Sequence, residues 1–291
     1  MSFSLRSQVA MIWWAIGFGA IFGLSFVFLL HMVPPPNADM DSAELQRWYE
    51  SRAGEIKIGA TISSYTSGFM VPLFIVIGAQ IRRHEQGFPV WTWATIIGGS
   101  LTSLFLVFPP LLLGVAAFTP GRDPDATAVI HEFAVLTLIT TDQYFVFPWI
   151  ALIVISLRPS TVPASPFPRW YGYFSLWMLT MVELGALAFN WKSGPFSWRG
   201  LPFYFPFAFF GVWIALTAYL LLRSIAAQRA LLALDESIGP AKPPSDADSD
   251  SAAIAGDERM VTMAVPGTGW LASSRRAEEL QPTAVEMGDS R

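Results

Sequence analysis

The chain has 291 residues, 53% hydrophobic and 14% charged, with 12 Trp, 23 Phe and no Cys. Soluble domains carry about a quarter charged residues, so this is a membrane composition, and the lack of Cys excludes disulfides, thiolate metal sites, Cys nucleophiles and palmitoylation. The net charge of −4 belongs to the C-terminal segment, where residues 226–291 hold 11 acidic against 6 basic side chains; residues 1–225 hold 11 against 12, which leaves no basic surface for nucleic acid.

A membrane-spanning helix needs roughly 20 mostly apolar residues. After a short N-terminus at 1–8, the first such run covers 9–32. It is too long for the apolar region of a signal peptide and ends in HMVPPPN without a small-residue cleavage site, so it reads as a retained span. Residues 42–56 follow as an amphipathic helix. Asp41 and Glu44 form a capping box, and Leu45, Trp48, Tyr49, Arg52 and Ile56 recur on one face that is expected to lie along the membrane surface.

Five more spans are predicted at 57–80, 90–118, 129–156, 170–190 and 202–225. Pro72, Pro109, Pro110, Pro148 and Pro206 fall inside them and are read as kinks, with the sharpest at Pro109–Pro110. Small residues make stripes on three spans: Ala15, Gly19 and Gly23; Gly59, Ser63 and Ser67; Thr92, Thr95, Gly99 and Thr102. Such stripes let backbones approach closely and are read as helix contacts rather than ligand surfaces. Residues 226–291, rich in Pro, Ser, Asp and Ala, form an acidic, largely disordered tail. The expected fold is all-α: a polytopic bundle of six transmembrane helices with one amphipathic helix and a tail.

Lys and Arg flanks favour the side bearing the N-terminus. The IRRHEQ turn and a Trp girdle (Trp13, Trp14, Trp91, Trp93, Trp149, Trp170) point the same way, so both termini are expected in the cytoplasm.

The polar residues inside the spans carry the functional question. If 129–156 is one helix, eleven residues bring His131 and Glu132 onto the same face as Asp142 and Gln143. Leu136, Ile139 and Phe147 then form the opposite, apolar side. On the fifth span Thr180, Glu183 and Asn190 share a face. No Lys or Arg lies within a span core, so Asp142 and Glu183 are expected to face one hydrated interior, or to act as protonated hydrogen-bond donors between helices. His31, His131 and Glu132 have the donor chemistry for a zinc or iron site, although no H-x-x-x-H or H-E-x-x-H spacing supports one. The chain has no phosphate-binding loop, nucleophile elbow or dinucleotide fingerprint, and no cofactor is expected.

The blocks PFPRWYGYFSLW (166–177) and KSGPFSWRGLPFYFPF (192–207) resemble an uncharacterised actinobacterial-type family of six-span integral membrane proteins. The resemblance implies that architecture over residues 9–225 and a bacterial plasma-membrane location, and it supplies no catalytic residues. Three readings of function follow. The first is a small-solute or proton-linked transporter or sensor using the intramembrane carboxylates. The second is a membrane-embedded enzyme acting on a lipid or other hydrophobic substrate, with His131 and Glu132 as acid and base. The third is an accessory subunit of an envelope complex. The expected partners are the bilayer, a second copy of the chain or an envelope protein.

Overall fold

The computed structural model describes residues 4–140 and 143–238, and the Gln143 side chain lies outside that description. Among the described residues there are helices and no strands: α1 Leu5–Phe28, α2 Ser42–Thr66, α3 Met70–Arg82, α4 Val90–Leu101, α5 Ser103–Phe118, α6 Pro124–Thr140, α7 Val146–Leu157, α8 Arg169–Val182 and α9 Leu201–Ile238. Five stretches are long and apolar enough to cross a membrane: Leu5–Phe28, Ser42–Arg82, Val90–Phe118, Arg169–Asn190 and Leu201–Ser237. The chain is an integral membrane protein with an all-α bundle.

The span predicted at 129–156 is not one helix. It consists of α6 and the short apolar α7, with a 3-10 turn at Gln143–Phe145 before α7. α5 packs along α6 and α4 along α7, so the two pieces run back beside the α4–α5 stretch. The break is written in Pro148. Proline is favoured in the first turn of a helix, where no carbonyl waits for its missing N–H, and Pro148 is the third residue of α7. Pro72 repeats the arrangement as the third residue of α3, behind a 3-10 turn at Ser67–Phe69. Both prolines therefore start helices rather than kink them. Pro109 and Pro110 lie inside one continuous helix, α5. The interruption falls at Thr102, whose hydroxyl donates to the Gly99 carbonyl.

The segment at 42–56 does not lie along the membrane as a separate helix. It is the first part of α2, capped by Asp41, whose carboxylate accepts from the Ala43 amide at 3.2 Å. Its apolar face packs on α5 and α6, burying Leu45, Tyr49 and Ile56. At the other extreme α9 continues to Ile238, into the segment predicted to be disordered; residues 239–291 lie outside the described residues.

Two of the small-residue stripes are helix contacts. Ser25 donates to the Gly59 carbonyl at 3.0 Å and accepts from Ser63 at 2.9 Å, joining α1 to α2. A Cβ on Gly99 would sit 2.1 Å from the Phe74 ring, and one on Gly78 2.6 Å from Ile96, so α3 and α4 touch along their glycines. Trp149 is fully buried in the core rather than part of a girdle, packed among Phe145 and Trp213. Ile139 is buried as well, while Phe147 on the same predicted side is exposed.

At one end of the bundle Arg229 donates to the Leu5 carbonyl at 3.2 Å, which places the start of α1 beside the last turns of α9. In the same region Gln80 donates to Gln8 at 2.7 Å and accepts from Gln228 at 2.9 Å, clasping α1, α3 and α9 together. Arg83 adds bonds to Gln80 and to the Pro163 carbonyl. Glu85 accepts from the Trp91 and Thr92 amides at 2.7 and 3.0 Å, a carboxylate on the start of α4 where the helix dipole favours it. At the opposite, far end Trp198 donates to the Pro36 carbonyl at 2.8 Å and Arg199 donates to Asn37. These bonds tie the approach to α9 to the loop that leaves α1.

Candidate functional site

Among the described members of the predicted polar set, His131, Glu132 and Thr180 have separate hydrogen-bond partners. His131 is buried at the far end, where its Nδ1 lies 2.7 Å from the Tyr49 hydroxyl. The rings of Trp48, Tyr49 and Trp198 surround it. Glu132, the next residue, faces the rim and pairs with Lys192 at 3.1 Å. His31 pairs instead with Glu55. The three metal-ligand candidates thus have three different partners, and among the described residues no group of three or more His, Cys, Asp or Glu could hold a metal ion.

On the fifth span, Thr180 is exposed and its hydroxyl donates back to the Leu176 carbonyl at 3.0 Å. The helix tightens to 3-10 geometry over Glu183–Asn190. At three residues per turn instead of 3.6, seven residues no longer complete a whole number of turns, so Asn190 rotates off the face of Glu183. Asn190 is exposed, and Glu183 is half-buried with Oε1 enclosed and without a hydrogen-bond partner. Asp142 and the side chain of Gln143 lie outside the described residues.

A pronounced concavity lies elsewhere among the described residues. A cavity of about 730 Å³ lies between α1 and α9. Its α1 wall includes Ala15, Gly19 and Gly23 beside Ile16, Phe22 and Phe26, and its α9 wall includes Ala208, Gly211, Ala215 and Ala218. Phe69, Phe105, Phe145 and Leu106 close the back, and among the described residues no charged side chain lines it. A Cβ added at Gly23 or Gly211 would meet nothing within 4 Å. The first stripe is therefore a contact over only part of its length: Ala15 is buried and a Cβ on Gly19 would sit 3.2 Å from the Phe69 ring, while Gly23 and Gly211 face open space.

The end ties explain why the helices part there. α1 and α9 are held at one end by the glutamine clasp and the Arg229–Leu5 bond. Toward the far end the Phe26 and Phe207 rings stack with centroids 6.0 Å apart. Between those points Gly, Ala and aromatic bulk alternate, and the aromatic rings hold the small residues apart. Ala20, Phe207, Ala208, Gly211 and Tyr219 line the cavity and are also exposed on the outer surface, so it opens sideways as a cleft in the membrane-facing wall. The α9 wall carries a readable signal, small residues at 208, 211, 215 and 218 in helical spacing, a fourth stripe beyond the three read above.

The chain matches no family model, no curated protein and no solved structure.

Proposed function

We propose that the protein binds the hydrocarbon chain of a membrane lipid or similarly apolar ligand in the lateral cleft between α1 and α9. The observation that carries this reading is a cavity of about 730 Å³ whose wall, among the described residues, is uncharged and mostly apolar, and which opens on the side of the bundle. Its size falls within the range of roughly 300–1,000 Å³ typical of small-molecule sites. A void of this size left empty forfeits dispersion contacts along its whole lining, and native interiors keep few voids larger than a water molecule. Water gains little from such walls, since buried water needs two to four polar partners. Hydrocarbon is the remaining filler, and the bilayer supplies it. A spanning helix about 10 Å across and 30 Å long occupies roughly 2,400 Å³, several times the space present.

This reading belongs with the hydrophobic-substrate alternative rather than with a carboxylate-lined solute path. The unpartnered Oε1 of Glu183 favours a second reading, in which Glu183 and Asp142 serve a proton- or solute-linked role. A bacterial plasma-membrane location with both termini in the cytoplasm is part of the proposal, supported by the Arg82–Arg83 turn and the exposed Trp13, Trp14, Trp93 and Trp170.

The experiment is lipid quantification by mass spectrometry on protein purified in mild detergent. Gly211→Trp puts an indole into open space without a clash at Cβ. The wild type should carry lipid that the variant lacks while both remain folded; equal lipid content in two folded proteins refutes the cleft as a chain site.

A further inference from the structure

We infer that the chain-binding cleft selects lipids bearing a phosphate headgroup, and that Arg199 receives that phosphate at the far end of the bundle. The inference rests on the cleft reading and concerns which lipid enters it. The position of the cleft along the two helices decides the direction. Its lining on α1 begins at Ala15, ten residues and about 15 Å into the helix, and ends at Phe26, two residues from the helix end. On α9 it begins at Pro202, the second residue, and stops at Leu222, well before Ile238. The near end is closed by the glutamine clasp and by buried Ile12, Leu221 and Ile225. A chain in the cleft therefore belongs to the far leaflet, with its polar end at the far rim.

Arg199 stands at that rim. It precedes Pro202 by three residues, at most about 11 Å along the chain, and it is exposed. One of its five N–H donors goes to Asn37. Among the described residues no carboxylate pairs with it, although Asp39 and Asp41 are exposed on the loop that carries Asn37; Glu132 on α6 is taken by Lys192. A guanidinium with free forked donors beside an apolar slot matches a phosphate diester attached to acyl chains. The buried Trp198, anchored on the Pro36 carbonyl, fixes the turn that presents it.

The test is native mass spectrometry of the full chain, titrated with phosphatidylglycerol, phosphatidylcholine and diacylglycerol of identical acyl chains. The wild type should hold both phospholipids at least about tenfold more tightly than diacylglycerol, the size expected of a charge-assisted bond. Arg199→Gln, which keeps a polar partner for Asn37, should remove that preference and leave diacylglycerol binding unchanged; Arg199→Lys should retain much of it. Excess inorganic phosphate should displace neither phospholipid. Phospholipid preference that survives Arg199→Gln, or displacement by inorganic phosphate, overturns the inference while the cleft stands. If Gly211→Trp leaves binding of all three lipids intact, the cleft reading itself fails.

Discussion

Phe26 on α1 and Phe207 on α9 stack with ring centroids 6.0 Å apart, and both rings border the cavity between the two helices. The contact sets the spacing of α1 and α9 near the far end. The glycines and alanines that follow along each helix are too small to bridge that spacing, which makes a cleft out of residues that elsewhere in this bundle bring helices together.

Where small residues do make contact, enlarging them should cost stability. Gly99→Ala places a methyl group 2.1 Å from the Phe74 ring, whose own side chain is fully buried. Overpacking of a dense core typically costs about 1–3 kcal/mol. Thermal unfolding in detergent should show a clear fall for Gly99→Ala and almost none for Gly23→Ala, where the added carbon meets nothing within 4 Å. Equal behaviour of the two would mean that the α3–α4 contact is looser than described.

The three-helix clasp should behave as a unit. Gln80→Ala removes the acceptor shared by Gln228 and Arg83, at 2.9 and 2.8 Å. Leaving buried donors without partners costs roughly 1–3 kcal/mol. Hydrogen exchange should rise in the first turns of α1 and in α9 around residue 228, and stay unchanged at the far end. A rise confined to α3 would contradict a clasp.

Tyr49 and His131 offer a cleaner cycle. Tyr49→Phe leaves the buried imidazole without its 2.7 Å partner and should destabilise by about 1–3 kcal/mol, whereas the double change Tyr49→Phe with His131→Leu should recover part of the loss. Unfolding midpoints of the four proteins measure the coupling. Simple additivity would show that the bond contributes nothing.

Acid sensitivity should trace in part to His84, in the turn after α3. Burial, and secondly the charge of Arg83, hold its pKa below the ordinary 6.5. Its neutral ring lies near the hydroxyls of Ser160 and Ser165, at 3.3 and 3.0 Å. The unfolded chain therefore takes up a proton at higher pH than the folded one, so stability is fully present above 6.5 and declines as pH falls toward the lower native value. Melting temperature compared at pH 7.5 and 5.5 should drop less for His84→Asn than for the wild type. An identical drop would remove His84 from the account.

The helices were legible because hydropathy over 20 residues depends on composition alone. Leu5–Phe28, Val90–Phe118 and Arg169–Asn190 fall close to their predicted limits, and Asp41 caps α2 as its spacing with Glu44 indicated. The misreadings came from local signals with two meanings. Pro148 and Pro72 inside apolar runs look like kinks, yet a proline two residues into a new helix gives the same string. Gly23 permits a close approach without requiring one and has open space before it, whereas Gly19 has the Phe69 ring against it. The Thr180–Glu183–Asn190 face assumed a period of 3.6 that the chain abandons at Glu183. His131 stood out as a polar residue in an apolar run, but its partner Tyr49 lies 82 residues upstream, and nothing local announces it.

The most direct test of the account is an electron cryo-microscopy map of the full chain in lipid nanodiscs. The account predicts continuous, unbranched density running between Gly19 and Gly211 beneath the Phe26–Phe207 pair. Side chains collapsed across that space, or a helix of a second copy seated in it, would contradict the proposal that a lipid chain is bound there.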